Sequence, residues 1–148
     1  MKPYVTRRAV RELVVQFLYQ FDMNGGKLDE ALLLFWETQE EVGETGHKFA
    51  EELVRGVLEQ RAAIDEKIAK YTENWDLPRI AAVDRNILRL AIYEMLFRDD
   101  IPPIVSINEA VDIAKKFSTR ESGAFVNGIL DRLKAELTRP SRTSTSTQ

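Results

Sequence analysis

The stretch IAAVDRNILRLAIYEMLF, residues 80–97, decides the fold. Ile80, Val83, Ile87, Leu88, Leu90, Ala91, Ile92, Met95 and Leu96 crowd it too densely for a single amphipathic stripe. A helix that is apolar on most sides must be covered on most sides, so these residues predict a central helix surrounded by others. It cannot run past Phe97. Asp99-Asp100-Ile101-Pro102-Pro103 follows, and consecutive prolines remove two donors and clash with the preceding turn. Upstream, residues 72–79 break the apolar pattern, and Pro78 suits the first turn of the central helix.

Working outward, Val10, Leu13, Val14, Phe17, Leu18 and Phe21 fall at i, i+3, i+4, i+7, i+8 and i+11, one face of an amphipathic helix. Asn24-Gly25-Gly26 ends it, because these residues tolerate the left-handed backbone that closes many helices. A second helix is expected from Asp29 to about Val42. A longer one is expected from about Gly46 to Tyr71, carried by Phe49, Leu53, Val57, Ile64 and Ile68. Ser106-Ile107-Asn108-Glu109 and Ser118-Thr119-Arg120-Glu121 both have capping-box form and predict two further helix starts. The last helix stripes Val126, Ile129, Leu130, Leu133 and Leu137. Gly128 inside it costs roughly 1 kcal/mol against alanine, so close approach of a neighbouring helix is its expected role. No β-alternation and no internal repeat competes. The reading is all-α, one domain over residues 1–138, with an apolar-poor tail at 139–148 expected to be disordered.

Composition removes several function classes. There are no cysteines and a single histidine, His47, so thiol nucleophiles, disulfides and thiolate metal sites are absent. No GxGxxG or Walker A string occurs, and Gly25-Gly26-Lys27 is too short for a phosphate loop. Adjacent carboxylates such as Glu51-Glu52 and Asp99-Asp100 point in different directions on a helix and make no acid/base pair. No enzyme and no cofactor is expected. No apolar run is long enough to span a bilayer, and the basic N-terminus lacks the continuous apolar stretch of a secretion signal. A cytoplasmic protein is expected.

The formal net charge of −3 does not point to nucleic acid, but the distribution is uneven. Lys2, Arg7, Arg8 and Arg11 precede the first acid, Glu12. From Asp22 to Glu44, Lys27 stands alone among seven acids. Arg7 and Arg11, four apart, are neighbours on a helix and are placed by this reading on the face away from the Val10/Leu13/Val14/Phe17 stripe. Guanidinium groups at a helix N-terminus favour a phosphate backbone; a solvated basic face is the alternative. Of the aromatics, Trp75 is expected to pin a loop. Tyr4, Tyr19 and Phe125 could stack on unpaired bases or fill the core.

Four strings together resemble a known family. RRAVRELVVQFLYQFD (7–22) is similar to the arginine-rich first helix of the NusB family, and VDRNILRLAIYEML (83–96) to its central helix. IPPIVSINEAVDIAKKF (101–117) followed by ESGAFVNGILDRL (121–133) resembles its C-terminal signature. The likeness spans essentially residues 2–136 in order and spacing. It implies six to seven helices in two packed sub-bundles. It also implies a transcription antitermination factor that joins ribosomal protein NusE (S10) and binds single-stranded boxA RNA, in a complex with RNA polymerase and other Nus factors that supports ribosomal RNA synthesis. Carried over by position, the RNA-binding residues are Lys2, Arg7, Arg8, Arg11, Glu121 and Phe125, and the protein-partner residues are Tyr19 and Asp84. Thr6 and Ala9 interrupt an arginine run that is often denser in the family. Some relatives form homodimers that cover this face. A helical adaptor that binds protein but not RNA is the competing expectation.

Overall fold

The computed structural model describes residues 6–39, 42–72 and 79–138. Lys2, Tyr4, Trp75, Pro78 and the tail at 139–148 lie outside them. Among the described residues there are seven helices and no strand: α1 (Arg7–Asn24), α2 (Leu28–Glu37), α3 (Gly43–Glu59), α4 (Arg61–Tyr71), α5 (Ala82–Phe97), α6 (Pro103–Phe117) and α7 (Arg120–Thr138). The all-α expectation is met. No helix among these residues is long and apolar enough to cross a membrane.

The central helix is α5, which packs on α1, α3, α4, α6 and α7. Ile87, Leu88, Leu90, Ala91 and Ile92 are all buried, as the density of apolar positions requires. Through them a single core runs from Val14 and Leu53 on one side to Ile113 and Leu130 on the other. Leu90→Ala would therefore open a cavity in that core, a change that costs about 2–5 kcal/mol.

Local signals explain most boundaries. Thr6 caps α1 by accepting from Ala9 N at 3.1 Å, and Gly25 ends it at φ +67°, where a side chain would be strained. Pro103 opens α6 at a position where a missing N–H costs nothing.

Four expectations need correction. The long third helix is broken at Gln60 into α3 and α4. Ser106 lies inside α6 rather than capping it, and its hydroxyl donates to Glu94 Oε1 at 2.7 Å. At the start of α7 it is Thr119, not Ser118, whose hydroxyl accepts from a backbone amide, that of Ser122, at 3.0 Å. Gly128 faces open space, so close approach is not its role; Gly56 has that role. A Cβ on Gly56 would fall 2.1 Å from the Tyr93 ring, so α3 and α5 reach this separation only because the residue is glycine.

A polar network ties α1 to α4 and α5. Asp22 accepts from Arg85 Nη2 at 2.8 Å, Arg89 Nη1 at 3.0 Å and Asn86 Nδ2 at 3.1 Å. Arg89 also grips Asp65 through two bonds, at 2.8 and 3.0 Å. Burial would raise the Asp22 pKa, but the hydrogen bonds from Arg85 and Asn86 and the nearby arginine charges outweigh it and hold the carboxyl below its ordinary value.

Candidate nucleic-acid interface

Ion pairs between side chains bridge α1 and α6. Arg8 pairs with Glu109 and, at 2.8 Å, with Asp112; one turn further along both helices, Lys116 reaches Glu12 at 3.0 Å. Helix α7 folds back against α6. Between these three helices lies an open groove of about 990 Å³ with Arg8, Lys115 and Arg120 on its walls. Asn108 and Asn127 add amides from opposite sides. Gly123 shapes the groove: a Cβ there would sit 2.8 Å from Lys115 Cγ, so the glycine lets the lysine lie across α7.

The four N-terminal basic residues meet different fates. Arg7 is exposed and stacks on the Phe49 ring, 4.2 Å from its centroid, with no carboxylate paired to it among the described residues. Arg8 is exposed but engaged by Glu109 and Asp112. Lys2 lies outside the described residues. Arg11 overturns the expectation of a shared outer face. It is 3% exposed, and its guanidinium donates to Glu94 through Nε at 2.8 Å and Nη2 at 3.0 Å. The reason is helical register: Arg11 stands three, four and seven residues before Val14, Val15 and Leu18, so it belongs to the buried face. Its charge neutralises Glu94 inside the protein and is not offered to a ligand.

Glu121 is exposed in the first turn of α7. Phe125, one turn on, is half-buried and packs against the core while bordering the groove residue Ala124. The sequence reading missed Lys115, Arg120 and the two asparagines. Arg120 and Lys115 have no ion pair among the described residues, so they are free cations where Arg8 and Arg11 are not. The adjacent Lys115-Lys116 pair and the arginine at the helix start were the available signals.

Of the two positions assigned to a protein partner, one is exposed and the other buried. Tyr19, about two turns past Glu12, is 37% exposed, and no described residue hydrogen-bonds its hydroxyl. Phe117 at the end of α6 is 49% exposed. Asp84 is not a surface charge: it is 6% exposed, and Oδ2 accepts from Ser122 Oγ at 2.9 Å. Its Oδ1 has no hydrogen-bond partner. The neighbours expected to pair with it, Arg85 and Arg89, turn to Asp22 instead.

With this geometry in place, the comparison with known proteins is direct. The profile of the NusB family matches residues 8–135. The chain belongs to the NusB family. The transcription antitermination protein NusB of Methylacidiphilum infernorum is 54% identical over 128 residues, covering 86% of this chain and 89% of that protein. The NusB of Desulforapulum autotrophicum is 50% identical over 129 residues, covering 86% and 90%. Among solved structures, NusB of T. maritima superposes with a TM-score of 0.82 at 40% identity, covering 90% of this chain and 94% of that one. A crystal structure of the antitermination factors NusB and NusE in complex with double-stranded RNA contains a chain similar to this one. It has a TM-score of 0.78 at 28% identity, covering 85% and 93%.

Proposed function

We propose that this NusB-family chain is a non-enzymatic, cytoplasmic transcription antitermination factor that binds the boxA element of nascent RNA together with ribosomal protein NusE. The observation that carries the reading is the groove in which Lys115 and Arg120, both unpaired among the described residues, stand beside Asn108, Asn127 and the Glu121–Phe125 turn. It suits a single strand. Free cations neutralise phosphates, amides meet base edges, and an aromatic edge supplies a stacking surface. Arg7, stacked on Phe49, adds an exposed cation at the start of α1 outside the groove lining. Glu121 can accept from an exocyclic amine of cytosine or adenine. Related proteins carry the antitermination name, and one solved relative is described with NusE and RNA.

Tyr19 presents an exposed phenol, whereas Asp84 is buried and its carboxylate orders the start of α7 through Ser122. A protein partner would hydrogen-bond the Tyr19 phenol directly and sense Asp84 only through the first turn of α7. A partner seated beside the groove would share the RNA strand with this chain, and binding of either is then expected to strengthen the other.

Titration of fluorescent single-stranded boxA RNA, with and without NusE, tests the reading. Lys115→Ala combined with Arg120→Ala is expected to weaken RNA binding at least tenfold and to flatten the dependence of log K on log salt by about 1.4, two phosphates at 0.7 each. Tyr19→Phe is expected to weaken NusE binding and to lower RNA affinity mainly when NusE is present. RNA affinity unchanged in the double variant, with NusE binding intact, would leave a protein-only adaptor.

A further inference from the structure

Arg120, Gly123, Ala124 and Asn127 fall at i, i+3, i+4 and i+7 on α7, the stripe that lines the RNA groove. Ser122 lies about 200° around the helix from Arg120, at 100° per residue, and is buried against α5. A chain of hydroxyls ends there on one carboxylate. Two residues, Ser118 and Thr119, join α6 to α7. Ser118 Oγ lies 2.8 Å from Ser122 Oγ, Thr119 Oγ1 donates to Ser122 Oγ at 3.1 Å, and Ser122 Oγ donates to Asp84 Oδ2 at 2.9 Å. A hydroxyl has one hydrogen and two acceptor lone pairs. Ser122 gives its hydrogen to Asp84, so the Ser118 hydroxyl also donates to Ser122, and the carboxylate sets the direction of all three hydroxyls. The Ser122 amide meanwhile donates to Thr119 Oγ1 at 3.0 Å.

On the reading of the groove as an RNA site, we propose that Asp84 is a positioning residue for RNA, holding the first turn of α7 through Ser122 so that Arg120 stands in the groove beside Lys115. Burial is the first argument. Asp84 is 6% exposed, and its Oδ1 has no hydrogen-bond partner among the described residues. An unfilled carboxylate oxygen in the interior is a cost to the fold, so stability alone does not account for a charge here. What the charge supplies is a strong, charge-assisted acceptor for Ser122, placed at the N-terminal turn of α5 and against that of α7, where helix dipoles favour an anion. The weakness of a helix start is the second argument. First-turn amides have no partner within the helix, and the Thr119 cap and the Ser122 bond supply the ties. Arg120 makes no ion pair among the described residues, so its placement depends on the backbone of this turn. The third argument is Gly123, where a Cβ would fall 2.8 Å from Lys115 Cγ. The turn is in close contact with the lysine, so a shift of the turn displaces both groove cations.

The test uses the full chain and fluorescent single-stranded boxA RNA, first without NusE. Asp84→Asn removes a negative charge, so long-range electrostatics alone would strengthen RNA binding. Lost positioning weakens it instead: about fivefold is expected, with the slope of log K on log salt flatter by about 0.7 as one phosphate contact goes. Ser122→Ala keeps the charge and is expected to weaken binding by a similar factor. The double variant is expected to lose no more than either alone, because both act along one bond. In an Arg120→Ala background, Asp84→Asn is expected to change affinity by less than about twofold, a dependence that a merely structural role would not produce. Titrations are run where circular dichroism shows each variant folded, and Ser122→Ala carries the test if Asp84→Asn does not fold. RNA affinity at or above wild type in either folded variant would overturn the proposal, as would an equal loss with and without Arg120. A loss seen only when NusE is present would assign Asp84 to the partner and overturn it as well. If Arg120→Ala weakens RNA binding while these variants do not, the groove stands and the role of Asp84 alone falls. Absence of RNA binding by the wild type, with or without NusE, would remove the RNA site itself.

Discussion

Replacing Arg11 with alanine is expected to cost the fold about 3–5 kcal/mol, the range for removing one partner of a buried ion pair. The side chains of Arg11 and Glu94 are 4% and 1% exposed, so water cannot take over the vacated contacts. Glu94 would keep only the Ser106 hydroxyl of its present donors. At an effective dielectric of about 20, charges about 4 Å apart attract by roughly 4 kcal/mol, which agrees with the range. Against a typical domain stability of about 5–15 kcal/mol, this loss would bring the protein near its unfolding threshold. Urea denaturation followed by circular dichroism measures it, with a lower midpoint and an unchanged slope expected. The paired change Arg11→Met with Glu94→Leu removes both charges. It is expected to regain most of the stability, because apolar residues of similar volume replace buried pairs at little or no cost. That double variant should also bind RNA within twofold of wild type. A loss under about 1 kcal/mol in Arg11→Ala, or a tenfold RNA defect in the folded double variant, would refute the assignment of this arginine to the interior.

Two further outcomes follow from packing and charge. Gly56→Ala is expected to destabilise by about 1–3 kcal/mol through overpacking against Tyr93, while Gly128→Ala, with open space around it, is expected to stabilise by up to about 1 kcal/mol; thermal melts of the two variants decide. In acid, the hydrogen bond from Arg98 holds the Asp100 carboxyl at about 2, and that from Lys70 holds Glu136 at about 2, both below their ordinary values of 3.8 and 4.5. Stability from both is therefore present above the unfolded values and lost as pH falls from about 4.5 through about 2. Asp100→Asn and Glu136→Gln should each shrink the acid-induced loss across that window in pH-dependent urea titrations.

What could be read from the sequence was whatever depends on one helix at a time. The density of residues 80–97 predicts a covered helix without reference to any partner, and Gly25 and Pro103 end and begin helices through their own backbone constraints. Contacts between helices were less legible. Nothing at Gln60 marks a break, because no glycine or proline stands there. The turn lets α4 lie against α5, a demand of packing rather than of local propensity. Ser106 has the spacing of a capping box, yet α6 has already begun at Pro103, so its hydroxyl is free to serve Glu94. Gly56 and Gly128 carry the same intrinsic penalty, and only the Tyr93 ring distinguishes them.

The same distinction governs the candidate site. A row of arginines in sequence reads as positive surface, but charge reaches solvent only after internal pairing is subtracted. Arg11 is cancelled by Glu94 in the core, and Arg8 is largely answered by Glu109 and Asp112. Of the predicted motif and the groove, the described cations left for phosphate are Arg7 from the motif and Lys115 and Arg120 from the groove. If those three each meet one phosphate of a single strand, log K should fall with log salt at a slope of about −2. Such a shallow electrostatic contribution confers modest affinity by itself. The strand then needs a second binding surface to be held firmly, and for a chain of this family that is the physical case for a protein partner beside the groove.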